Sequence, residues 1–351
     1  MAGRGRRPRA AAGAAAAAAV LAGAFLSVRA AAGGGPANSA GPRPAGSASA
    51  PAARAAAPAP RPAAALPVGK IGSYPVTDRS FVFTDRSRAR TAGPRILPAL
   101  VRFPVIPASA RTAGGPAGRG FPLVVFAPGY LQCERSYRWL LRTWASAGYV
   151  VAAVEFPRTN CHVTSPDEAD LANQPGDIAF AIRRLLAASS RPRGPLSGLL
   201  NPAAIAVAGH SDGGDTVAAL AASTCCLDHK VSAAVVLAGA EWPPLGGSWF
   251  AGRTPPVLFV QGNADNINPP AASRQMYRAD TTGPRFYLDL PGAGHLTPYQ
   301  GRRPPEPIVA RVTTDFLDRY LAGQRSAGAA MRRAGDVTGR ADLVHGKNLP
   351  R

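Results

Sequence analysis

Beyond Leu66 the chain alternates short apolar runs with longer amphipathic stretches. Residues 81–84 and 100–103 read as two early strands, and a Gly/Ala/Pro hairpin loop at 107–120 precedes a third strand at Leu123. Further strands are expected at 149–155, 203–208, 233–238, 257–261 and 285–289. They alternate with helical patterns at 135–146, 175–188, 212–223, 271–279 and 306–321. The strand runs carry little polar alternation, the mark of strands covered on both faces in a mainly parallel sheet flanked by helices. The predicted class is α/β. In open sheets of this kind a site forms beyond the carboxyl ends of the strands.

Four segments carry candidate chemistry, and each falls at such an end. In Gly209-His210-Ser211-Asp212-Gly213 a serine stands between two glycines where a strand turns into a helix. Such a turn is too tight for larger flanking side chains and holds the hydroxyl out at the sheet's edge. Asp265 ends the run from Pro256 through the turn Gly262-Asn263-Ala264, and His295 follows the strand and turn that end in Gly292-Ala293-Gly294. A serine hydroxyl needs a base in contact, and the base needs an anion to fix its tautomer. Ser211, His295 and Asp265 supply those roles in the order serine, acid, histidine. Asp289 is the rival acid, disfavoured because it alternates with Leu288 and Leu290 inside a strand. His210 is expected to point away from the serine as a packed residue, and His162 and His229 to be solvated in polar loops. The fourth segment, residues 121–130, ends a strand in Pro128-Gly129-Tyr130, where backbone N–H groups would face a developing oxyanion; the donors expected are the amides of Tyr130 and Asp212.

The N-terminus carries Arg4, Arg6, Arg7 and Arg9, then an alanine-rich apolar run to Val28 and Arg29-Ala30-Ala31-Ala32. It reads as an export signal, residues 1–32, too weakly hydrophobic for a retained span. Residues 33–65 are almost wholly Ala, Pro, Gly, Ser and Arg and read as a disordered linker. Residues 66–323 form the expected catalytic domain, and 324–351, short of large apolar side chains, a loose tail. The expected location is extracellular.

The net charge of +20 invites a nucleic-acid reading, but its distribution weakens that. Residues 1–65 hold eight arginines and no acid, and 324–351 hold six basic and two acidic residues, which leaves +8 on the domain. Its arginines are dispersed, so specific nucleic-acid binding is not expected. Four cysteines fit an exported protein. Cys133 and Cys161 both follow strand ends and are expected to pair, leaving the adjacent Cys225 and Cys226 as a vicinal bond or reduced. No metal or organic cofactor is expected, and the chain is expected to act as a monomer on an ester substrate.

Residues 74–320 resemble the secreted cutinase-like polyester (PET) hydrolases of the α/β-hydrolase fold and the related chlorophyllase-like and platelet-activating-factor acetylhydrolase-like esterases. The likeness is closest in Pro128-Gly129-Tyr130, Gly209-His210-Ser211, 256–269 and 287–295. The resemblance implies a serine carboxylic ester hydrolase with no large cap domain and an open cleft. It also implies that Tyr130 lines that cleft and that Trp242 forms an aromatic wall; packing against Pro243 and Pro244 is the rival reading of Trp242. Asp212 departs from the methionine usual in the polyester hydrolases, and a carboxylate there opposes an oxyanion unless it turns outward or pairs with an arginine. The cysteines do not reproduce the C-terminal disulfide typical of that group. On the same fold, an acyltransferase or a non-catalytic wall-associated protein are the alternatives.

Overall fold

The computed structural model describes residues 70–88, 93–106, 120–301 and 304–346. The expected export signal and linker, and most of the 107–120 loop, lie outside these residues. Nine strands form one sheet: β1 Val76–Asp85, β2 Arg95–Pro104, β3 Phe121–Ala127, β4 Val150–Val154, β5 Leu200–His210, β6 Ala233–Leu237, β7 Val257–Gly262, β8 Arg285–Leu290 and β9 Asp342–His345. Their spatial order is β1-β2-β4-β3-β5-β6-β7-β8-β9. Strands β3 to β8 run parallel, while β1, β2 and β9 are antiparallel additions at the two edges.

Strict alternation along the central strands sends side chains into two cores. From β3, Leu123, Val125 and Ala127 enter one core, with α2 (Gln174–Ser189), α3 (Asp212–Ala222) and α4 (Pro270–Ala279) packed over it. Val124 and Phe126 enter the other, under α1 (Arg138–Ser146), α5 (Glu306–Tyr320) and α6 (Ala327–Gly335). The central strands β3, β4, β6 and β7 are buried throughout, as unbroken apolar runs require. Mostly parallel, covered on both faces and edged by antiparallel strands, this is the α/β-hydrolase fold.

The tail expectation is corrected for residues 324–346. Ala327, Met331 and Gly335, spaced four apart, bury one face of α6, and β9 pairs with β8 through Leu288 and Leu343. Gly335 sits so close to Leu343 that a Cβ there would be 2.5 Å from its side chain. Small residues are what permit this packing, so a composition that resembles a loose tail closes the sheet. Among the described residues, no helix is long and apolar enough to cross a membrane.

Candidate active site

The candidate residues sit at the carboxyl ends of β5, β7 and β8, with the 128–133 loop at the end of β3. At the close of β5 the chain turns directly into α3, and Ser211 takes the turn with φ 56° and ψ −126°. A non-glycine residue in that region stores strain of order 1–3 kcal/mol and persists only where its surroundings hold it. The glycines on either side are required by contact. A Cβ on Gly209 would lie 2.1 Å from the carbonyl oxygen of Gly213, and one on Gly213 would lie 2.0 Å from that of Ala127. The Ser211 amide donates to the Leu237 carbonyl at 3.0 Å, which fastens the elbow to β6.

Asp265 follows β7, and its two oxygens are fully engaged. Oδ1 accepts from the amides of Ile267 and Asn268 at 2.9 and 3.0 Å; Oδ2 accepts from Gln261 Nε2 at 3.0 Å and meets His295 Nδ1 at 2.7 Å. Both residues of this pair are buried. An imidazole whose Nδ1 donates to a carboxylate presents a free lone pair at Nε2, the state a general base needs. Asp289 takes no part: it faces Arg274 and Asn263 at 3.3 Å each.

His210 is buried and fills a different position, as expected. Its Nε2 donates to the His295 carbonyl at 2.9 Å, so its Nδ1 accepts from the Tyr137 hydroxyl at 2.8 Å. Tyr137 oxygen in turn accepts from the Gly129 amide at 3.3 Å. Burial, and next the neighbouring His295, lower the His210 pKa to about 3, so the ring stays neutral. One hydrogen-bonded chain thus joins the Gly129 loop, the elbow and the His295 loop. His162 and His229 are exposed.

The 128–133 loop lies against the elbow. A Cβ on Gly129 would be 3.0 Å from Ser211 Cβ, so Tyr130 is the next residue along from direct contact with the serine. The loop is held by the Cys133–Cys161 disulfide, by the Leu131 amide donating to Thr159 at 2.7 Å and by the Gln132–Asn160 bridge. Cys225 and Cys226 form the vicinal bond. Asp212 opens α3, where first-turn amides have no acceptor within the helix. Its side chain neither turns into solvent nor pairs with an arginine among the described residues; it is buried, and Oδ2 has no hydrogen-bond partner. Burial, followed by the Glu168 carboxylate, pushes its pKa up to about 7. Trp242 is half-buried and packs with Leu171, Ala219 and Leu245.

Sequence reasoning missed Tyr137, Gln261 and Asn268, which position the others through hydrogen bonds and carry no pattern of their own. Asn268 also ties the Asp265 loop to the Ala238 carbonyl at 2.6 Å. It also missed three exposed apolar side chains, Leu131, Ile267 and Leu296, each one or two residues beyond Tyr130, Asp265 and His295. The signal was available: a large apolar residue one or two positions after each of these three residues.

Comparison with known proteins places the chain in a family. Residues 113–327 match the PET hydrolase-like (PETase) family. A bis(hydroxyethyl) terephthalate hydrolase of Streptomyces coelicolor is 26% identical over 205 residues, covering 57% of each chain. Cutinase 2 of Thermobifida cellulosilytica is 28% identical over 206 residues, 56% of this chain and 68% of that one. Cutinase cut1 of Thermobifida fusca is 28% identical over 206 residues, 56% of each. The chain therefore spans little more than half the length of two of these three relatives.

Proposed function

Because the chain belongs to the PET hydrolase-like family, matched over more than half of its residues, we propose that it is an exported serine carboxylic ester hydrolase working through an acyl-enzyme. The observation that carries the reading is the buried 2.7 Å contact of His295 Nδ1 with Asp265 on the strand ends beside the strained Ser211 elbow. Ser211 Oγ attacks the ester carbonyl as His295 Nε2 removes its proton, and Asp265 stabilises the resulting imidazolium. The tetrahedral oxygen takes hydrogen bonds from the amides of Tyr130 and Asp212, each worth about 3–4 kcal/mol in the transition state. The imidazolium then gives its proton to the leaving alcohol. Water, deprotonated by the same base, attacks the acyl-enzyme and releases the acid and free Ser211.

The substrate class follows from the surroundings. Neither the 266–294 segment nor the 212–256 segment builds a cap domain, and Leu131, Ile267 and Leu296, one or two positions after Tyr130, Asp265 and His295, expose apolar side chains. Such a site suits esters with an extended apolar or polymeric body, with Tyr130 and Trp242 as aromatic surfaces. The names of the relatives, a terephthalate ester hydrolase and two cutinases, accord with this class. Two disulfides favour an oxidising compartment, in keeping with residues 1–32 as an export signal.

The test is hydrolysis of p-nitrophenyl esters from acetate to palmitate by the protein and its Ser211→Ala variant. Activity that disappears in the variant supports the reading and ranks acyl length. Equal activity in both, or none in either, removes it.

A further inference from the structure

The acidic side chains around the elbow are out of keeping with the rest of the molecule. The chain has 40 basic and 20 acidic residues, yet Asp212, Asp215 and Glu168 gather near the start of α3, and none of them forms an ion pair among the described residues. Their placement follows from α3. Asp212, Thr216 and Ala219 lie on one face of the helix at spacings of four and three. Thr216 Oγ1 donates to Gln174 Oε1 at 2.8 Å, and Ala219 packs with Leu171 and Trp242, so this face looks onto the 168–174 turn and the Trp242 segment. Arg95 fixes that turn from behind, bidentate to Asp170 at 2.7 and 2.8 Å and bonded to Asp177 at 2.7 Å. Asp215 accepts from the Ala240 amide at 2.6 Å, which ties the start of α3 to the segment that leads into Trp242.

Asp212 adds an independent sign of a ligand. It is nine-tenths buried, and its Oδ2 has no hydrogen-bond partner. Buried carboxylate oxygens are rarely left unpaired, because each then carries an uncompensated desolvation cost. The Tyr130 hydroxyl is within the field of the same groups, since Glu168, Asp212 and Asp167 all act to hold its proton in place, after burial. Asp167 is occupied by Arg158 at 3.2 Å, which leaves Glu168 and Asp212 without a basic partner.

We propose that the Asp212–Glu168 wall, with the aromatic surfaces of Tyr130 and Trp242, is a recognition subsite for an organic cation, so that the enzyme prefers esters bearing an ammonium group. The inference rests on the ester hydrolase reading and names its substrate class more narrowly. A spread of carboxylates beside aromatic rings matches a bulky, diffuse cation, held by charge and by ring faces. A metal ion is a poorer fit: among the described residues, the only trio of potential ligand atoms close enough to share an ion is Cys133, Cys161 and His162, and the carboxyls of the wall do not converge that tightly. The rise of the Asp212 pKa to about 7 agrees with a free site that lacks its counter-charge. A bound ammonium would supply it and draw the proton off.

Matched ester pairs test this. Acetylthiocholine is compared with 3,3-dimethylbutyl thioacetate, which places the charge on the alcohol side. The p-nitrophenyl esters of 4-(trimethylammonio)butyrate and 5,5-dimethylhexanoate place it on the acyl side. For one pair or both, kcat/KM at low ionic strength is expected to favour the cationic member tenfold or more, and Glu168→Gln and Asp212→Asn are each expected to reduce that ratio at least threefold. Calorimetric titration with benzyltrimethylammonium reads the subsite without turnover, and binding should weaken in both variants. Turnover of the neutral esters with no cation preference and no ammonium binding overturns the subsite alone. Ratios or binding unchanged in both variants overturn it as well. Ammonium binding that weakens in the variants, with no ester turned over, leaves the subsite standing and removes the hydrolase reading.

Discussion

Asp265→Asn separates the two carboxyls that compete for the role of acid, and its effect can be worked from the hydrogen bonds. In the native protein Oδ1 accepts from two backbone amides, and Oδ2 accepts from Gln261 and His295. An asparagine has one acceptor oxygen and one NH₂. If the NH₂ faced the amides of Ile267 and Asn268, two buried donors would oppose donors, at roughly 1–3 kcal/mol for each unsatisfied group. The oxygen therefore stays on the amides and the NH₂ turns to His295, whose Nδ1 must now accept. The imidazole proton moves to Nε2, and the ring no longer takes a proton from Ser211. The expected loss is about 10⁴ in kcat, or about 5.5 kcal/mol, with KM little changed and the fold intact. Asp289→Asn is the control. Asp289 faces Arg274 and Asn263 and makes no contact with His295, so kcat should stay within threefold of the native value. Steady-state kinetics on p-nitrophenyl butyrate, with circular dichroism to verify folding, gives both numbers. A folded Asp265→Asn variant within tenfold of native, or an Asp289→Asn variant equally impaired, refutes the reasoning.

Three further outcomes are expected. Replacing Cys133 and Cys161 together by serine opens a cross-link between residues 28 apart, which should cost about 3.5 kcal/mol of stability and lower Tm by roughly 6–10 °C on thermal unfolding; the loss of kcat should exceed that of a double Cys225/Cys226 serine variant, because only the first bond holds the Tyr130 loop. Gly213→Ala forces a methyl to 2.0 Å from the Ala127 carbonyl oxygen, so activity should fall at least a hundredfold with a clear drop in Tm. Asp212 has a carboxyl raised from 3.8 to about 7, so the folded state binds the proton more tightly than the unfolded chain, and stability present below pH 4 is lost as pH rises through 7. The shift corresponds to about 4 kcal/mol, and Asp212→Asn should raise Tm at pH 8 markedly more than at pH 4, as differential scanning calorimetry at the two values will read.

The sheet and its strand-end chemistry were legible because burial on both faces leaves short apolar runs at regular intervals beyond Leu66, and because the elbow glycines are demanded by contacts of 2.0–2.1 Å. The C-terminal segment was misread for a physical reason. Alanine, glycine and one methionine bury α6 by close approach rather than by bulk, and composition does not register that. The edge strand β9 is short and pairs along only one side, so it shows no sustained alternation. Tyr137 and Gln261 act through hydrogen bonds that no local pattern encodes; the Tyr137–His210 contact spans 73 residues, and Gln261 reaches Asp265 across a turn. At Asp212 the sequence raised the right question, a carboxylate beside the oxyanion donors. Only the three-dimensional arrangement could give the answer, that it is buried among other acids rather than exposed or matched with an arginine.

The central claim is that Ser211 is an activated nucleophile. Incubation of the folded protein with a fluorophosphonate, followed by intact-mass measurement and peptide mapping, tests it without knowledge of the natural substrate. The account predicts one adduct per chain, on Ser211, absent from Ser211→Ala and formed far more slowly in Asp265→Asn. An unlabelled native protein, or an adduct on another residue, would contradict it.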